Sequence, residues 1–177
     1  MSLLKPFLIS LIAFLAINFI FELMALIIAQ GGDAFAYIGA EPIRILLMLF
    51  GPIGATPTNT VTKMHFAIVN FDTYLEAKYA IAFIIRYIGW IVSPVIAVIL
   101  AGRFGDSKLI TFGSWFLVAM IAMIFVLISF ITTDTEVISY LELTTTTLNE
   151  AYIVMFGVIN GIFYGGIAVL TSKSDTY

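Results

Sequence analysis

Residues 7–29 read FLISLIAFLAINFIFELMALIIA, a run of 23 positions with one charge, Glu22. A helix that crosses ~30 Å of hydrocarbon needs about 20 mainly apolar residues. The run therefore predicts a transmembrane span, and its charge is the anomaly. An isolated ion at that depth costs roughly 2.5–3.5 kcal/mol on insertion scales. The run is also longer than the 7–15 residues of a signal-peptide apolar region. It reads as a retained helix, although Lys5 supplies a positive start and Ala25–Ala29 a weak small-residue site.

Three more segments are long and apolar enough to span: 80–101, 109–131 and 151–170. The second holds another deep charge, Arg86, of opposite sign to Glu22. Overall composition agrees, with 62% hydrophobic and 11% charged residues, against about 25% charged in a soluble domain. The expectation is an all-α integral membrane protein of one domain over 1–177, with four transmembrane helices. Its longer connections are 30–79 and 132–150. A fifth span remains open. Pro42–Phe50 predicts a short helix ended by Gly51-Pro52, too short to cross alone and so interfacial or re-entrant. Extended back to Ala34 it becomes long enough, at the expense of carrying Glu41 and Arg44.

Charge placement favours four spans. Lys5, Arg103, Lys108 and Lys173 then share one side, while 132–150 carries Asp134, Glu136, Glu142 and Glu150 and no Lys or Arg. The positive-inside rule places both termini in the cytoplasm of a cell bearing the protein in its plasma membrane. Thr58–Asp72 alternates loosely, which suits a strand or an interfacial segment. The Thr144–Thr147 run reads as an ordinary polar connection. No internal repeat is found, so an inverted-repeat transporter gains no support. Heavy use of isoleucine hints at a prokaryotic source.

Depth relates the two charges. The centre of the first span is near Asn18, and Glu22 lies one turn, ~6 Å, beyond it toward the outer side. The second span runs the other way, with its centre near Trp90 and Arg86 ~6 Å toward the same side. Asn18 and Glu22 share a helical face. Around Arg86 the face carries Ala82, Gly89, Ser93 and Ala97, small enough for a neighbour to approach closely. Glu22, Arg86, Asn18 and Ser93 thus form either an ion pair fixing two helices, aided by Asn18, or a polar site for an ion, proton or anionic group. Pro94 removes a helical donor and frees the Trp90 carbonyl, as a kink or a cavity wall.

In the fourth span Gly157, Gly161 and Gly165 recur every four residues, a doubled small-xxx-small stripe. Asn160 and Tyr164 flank it. The stripe predicts contact with a helix of this chain or of another protein. His65, the one histidine, lies outside the clear spans and lacks neighbours for a metal site or paired haem ligands.

These observations exclude several classes. Net charge −3 without a basic stripe argues against nucleic acid. Absence of cysteine removes disulfides, thiolate metal sites and iron–sulfur clusters. No paired aspartates, Ser–His arrangement or phosphate-cradling loop is seen, so no enzyme activity and no cofactor is expected, and a lipid-modifying or proteolytic enzyme is the third possibility. The leading expectation is a non-catalytic subunit of a larger membrane complex, with other membrane subunits and the lipid bilayer as partners. The alternative is a small-solute or ion transport component using the Glu22/Arg86 site.

Overall fold

The computed structural model describes residues 3–73, 77–133 and 150–172. Each apolar run becomes a helix slightly longer than its span. Helix α1 is Leu4–Gln30. It stops at Gly31, whose φ of +60° suits a residue without Cβ. Three short helices follow: α2 (Ala34–Ala40), α3 (Ile43–Phe50) and α4 (Pro57–Val69). Then come α5 (Ala77–Phe104), α6 (Lys108–Thr132) and α7 (Glu150–Thr171). Helices α1, α5, α6 and α7 are long and apolar enough to cross a membrane. No strand occurs among the described residues. The chain is an all-α, multi-pass membrane protein, with four helices of spanning length among the described residues.

The fifth span is not formed. Glu41 is extended, with φ −137° and ψ 94°, and it separates α2 from α3. Pro42 is the cause, because its ring disfavours helical backbone at the residue before it. The strand considered over Thr58–Asp72 is also absent. Thr56 accepts the Asn59 amide at 3.2 Å and Pro57 occupies the first turn, so the chain starts a helix there. Its buried positions, Thr60 and Ala67, lie seven residues apart, two turns of one face. Residues 134–149, which include the Thr run, Asp134, Glu136 and Glu142, and Lys173 lie outside the described residues.

Contacts along the helices fix their directions. Lys5 stands over the Phe104 ring at 5.4 Å, while Glu22 pairs with Arg86, so α1 and α5 are antiparallel. Gly157 faces Met123 and Gly165 faces Phe112, so α6 and α7 are antiparallel. Thr171 meets Gly102, and the Ser114 hydroxyl lies 3.5 Å from the Leu3 carbonyl. One end of the bundle therefore gathers the start of α1, the end of α5, the start of α6 and the end of α7. Residues 31–73 leave from the opposite end, and α5 starts again there.

Between those two points the chain dives into the bundle. Gly51–Gly54 forms a 3-10 turn whose residues are all buried, packed against α5, α6 and α7. Its neighbours Leu47, Met48, Phe50 and Ala55 are buried too. Helix α3 therefore descends, the turn sits inside, and α4 climbs back along α5. This is the re-entrant alternative for 42–50. Eight residues of helix cover about 12 Å, near half the ~30 Å hydrocarbon thickness.

The glycine stripe is used within the chain. A Cβ on Gly157 would lie 2.6 Å from Met123 Cβ, and on Gly161 or Gly165 2.8 Å from the Phe116 or Phe112 ring. Gly89 does the same for α1, where a Cβ would lie 2.3 Å from Phe21 Cβ. That atom is fixed to backbone and cannot swing away. Gly89→Ala should therefore lower stability in detergent by about 1–3 kcal/mol, the usual range for overpacking. Gly166→Ala, with nothing within 4 Å of the new Cβ, should be neutral or stabilising. Thermal unfolding of the two variants checks the contrast.

Candidate functional site

Helix α1 buries Pro6, Ser10, Phe14, Asn18, Glu22 and Leu26, positions spaced by four that form one stripe. Its buried face is thus the one carrying the polar groups, and Leu8, Ile12 and Ile20 face outward. This inversion is what a lipid solvent favours.

Glu22 is 1% exposed. Its Oε2 accepts from Arg86 Nε at 3.1 Å, and its Oε1 accepts from Trp90 Nε1 at 2.5 Å. Both carboxylate oxygens are engaged by one face of α5, where Arg86 and Trp90 stand one turn apart. The Tyr87 ring meets the Trp90 indole edge-on at 5.6 Å between centroids and holds it in place. Phe21 seats over Gly89, and that close approach brings the two backbones near enough for the pair to form. The two charges and their common depth are legible in the sequence. The part played by the Trp90 indole is not, although its four-residue spacing from Arg86 is a usable signal.

Asn18 and Ser93 do not join this pair. Asn18 Nδ2 donates instead to the carbonyls of Met48 at 2.6 Å and Leu49 at 3.3 Å. Ser93 is fully buried, and its Oγ has no hydrogen-bond partner among the described residues. Helix α5 runs unbroken through Pro94.

Asn160 has a role parallel to that of Asn18. Its Nδ2 reaches the carbonyls of Ala55 at 2.8 Å, Ile53 at 3.4 Å and Phe156 at 2.9 Å. Its own main-chain carbonyl accepts from Trp115 Nε1 at 3.2 Å. The end of α3 and the turn after it leave carbonyls without helical donors. Inside a bilayer no water replaces them. Two asparagines, one near the middle of α1 and one near the middle of α7, supply the missing donors. Asn160 was expected beside a packing stripe; the structure makes it an internal clamp on the re-entrant turn.

Two hollows adjoin this framework. A small cavity of about 30 Å³ lies between α1, α2, α3 and α5, lined by Glu22, Tyr37, Arg44, Met48 and Arg86 among others. A larger groove of about 350 Å³ lies between α4 and α7, lined by Thr56, Thr58, Val61, Thr62, Ile159 and Phe163. Beside the groove α4 exposes Thr58, Thr62 and His65 along one stripe. Among the described residues no three His, Asp or Glu side chains converge as a metal site would require.

Compared with protein-family models, with curated proteins and with solved structures, the chain matches none. The chemistry of the site therefore rests on its own geometry. Both oxygens of the Glu22 carboxylate are engaged, one by a guanidinium and one by an indole.

Breaking a buried ion pair on one side leaves an uncompensated charge, a loss of about 3–5 kcal/mol. Glu22→Gln should show a loss in that range in detergent unfolding. Glu22→Gln with Arg86→Met should recover part of it, since neither charge then remains. Asn160→Leu removes the donor to three carbonyls and should destabilise by at least about 2 kcal/mol, from the penalty of about 1–3 kcal/mol per buried group left unpaired. An additive response in the Glu22/Arg86 double variant would show that the two groups are not coupled.

Proposed function

We propose that this chain is a non-catalytic integral subunit of a larger membrane protein complex, carried in the plasma membrane of a prokaryotic cell with both termini in the cytoplasm. One observation carries the reading: the polar stripe Thr58, Thr62 and His65 on the outer face of α4. Thr58 follows closely on Ala55, whose carbonyl is held by Asn160 near the middle of α7. The stripe thus starts near the bilayer centre, and seven residues of helix carry it about 10 Å outward. The hydrocarbon half-thickness is ~15 Å, so His65 too stands at hydrocarbon depth. The Thr62 hydroxyl is satisfied by the Thr58 carbonyl at 2.9 Å. An imidazole facing acyl chains has no such recourse and calls for protein beside it. The adjoining groove against α7 offers room for side chains of that neighbour.

The orientation is supported by Lys5, Arg103 and Lys108, which gather at the end of the bundle holding the start of α1 and the α5–α6 connection. A small-solute or ion transport component built on Glu22, Arg86, Asn18 and Ser93 is less well supported. Both oxygens of the carboxylate are already bonded, and Asn18 serves the re-entrant turn.

A photo-reactive residue placed at Thr62 or His65 tests the reading in native membranes. The expected result is a discrete adduct to another polypeptide, while the same probe at Ile12, exposed on α1, labels lipid alone. Lipid labelling at all three positions, with a monodisperse monomer purified from the same membranes, would sink the proposal.

A further inference from the structure

Ser93 differs from the other buried serines. The hydroxyls of Ser10, Ser114 and Ser129, all buried in helices, donate to a carbonyl one turn back: Phe7 at 3.0 Å, Ile110 at 2.7 Å and Phe125 at 2.8 Å. That local bond is how a helical serine satisfies itself where no bulk water reaches. Ser93 is as deeply buried, yet its Oγ makes no hydrogen bond among the described residues. Its hydroxyl does not turn back on its own helix.

Asn18 presents the matching half. Its Nδ2 is committed to the Met48 and Leu49 carbonyls, and those two acceptors identify which end of the amide is nitrogen. The other end, Oδ1, is buried and has no partner among the described residues. An amide oxygen only accepts, whereas a hydroxyl donates and accepts.

Helix packing brings the two oxygens to one level. Phe21 lies against Gly89 where α1 and α5 approach closely. Asn18 stands three residues before Phe21, and Ser93 four residues after Gly89. The helices are antiparallel, so both steps lead the same way, about 4.5 and 6 Å toward the bilayer centre. Asn18 belongs to the buried stripe of α1 that carries Glu22, and Ser93 to the buried stripe of α5 that carries Gly89 and Ala97. With small residues one turn to either side, α5 itself does not crowd the hydroxyl. No direct bond joins the two groups.

We propose that one buried water bridges Asn18 Oδ1 and Ser93 Oγ, one turn from the Glu22 clasp on the side of the bilayer centre. The water donates to the amide oxygen and shares its second bond with the hydroxyl. Two polar partners are enough to hold an interior water. The bridge extends the chain of bonds from the Met48 carbonyl through Asn18 to α5, so the re-entrant segment, α1 and α5 are tied at one point. The proposal is independent of the subunit reading, because this site is interior and the α4–α7 groove is not part of it.

The test uses the full chain, labelled with nitrogen-15, in phosphatidylcholine bilayers. Solid-state NMR measures magnetisation transfer from water protons to side-chain N–H groups. The Asn18 amide should receive it at mixing times where the Trp115 indole, equally buried and bonded to the Asn160 carbonyl, receives none. Ser93→Ala, smaller than the residue it replaces and a better helix former, should lose the transfer to Asn18. The comparison of Asn18 with Trp115 in the unaltered chain stands even if that variant does not fold. Absence of transfer to Asn18 overturns the proposal. Equal transfer to Trp115, the mark of general water entry, also overturns it, as does a transfer to Asn18 that persists unchanged in Ser93→Ala.

Discussion

A backbone that turns around inside a membrane must find hydrogen-bond partners without water, and this requirement organises the bundle. The carbonyls of Met48, Leu49, Ile53 and Ala55 lie at or beside a helix end buried among four spans. Asn18 and Asn160 provide the donors, each from a different helix. Their positions near the middle of α1 and α7 set the depth of the turn. The turn, with its two glycines and Pro52, lies buried against α5, α6 and α7. Removing one asparagine would leave acceptors that hydrocarbon cannot satisfy.

The ion pair works at a second level. It does not create the bundle, because α1 and α5 pack along most of their length. It fixes their register. Glu22 meets Arg86 and Trp90 where Phe21 meets Gly89, so a one-turn slip would lose the charge pairing, the indole bond and the glycine contact together. Such shared dependence is the best-attested use of buried polar groups. The same pairing explains why two groups that are costly singly are tolerated at this depth.

Much of this was legible in the residues. Long apolar runs gave the four spans, because length and hydropathy are dictated by the bilayer itself. The common depth of Glu22 and Arg86 followed from helical rise alone. The close approach along Gly157, Gly161 and Gly165 followed from the absence of side chains, but which helix used it did not, since a small-residue stripe carries no address. The re-entrant turn was only half legible. Pro42, Gly51 and Pro52 marked its limits, yet whether a short apolar helix lies on the membrane or enters it depends on distant donors. Asn18 was read as a companion of Glu22 because the two share a face. Its true partner is some thirty residues away along the chain, and no local pattern announces a side chain that serves backbone elsewhere. The helix at Pro57–Val69 was obscured for another reason: its mixture of threonine with apolar residues mimics alternation, and the cap at Thr56 was the better guide.

The placement of Asn160 also imposes an order of assembly. Synthesis delivers the turn at residues 51–54 about a hundred residues before the helix that clamps it. Through that interval Asn18 can hold the end of α3, but Ile53 and Ala55 lack the donor that α7 brings. The nascent bundle is therefore open on one side, and its turn can remain near the aqueous surface until the last span enters. Docking of α7 would then do two things at once, inserting its glycines against Phe112 and Phe116 and drawing the turn to its final depth. The C-terminal helix acts as a keystone: the arch is laid out early, and it closes only when the final piece arrives.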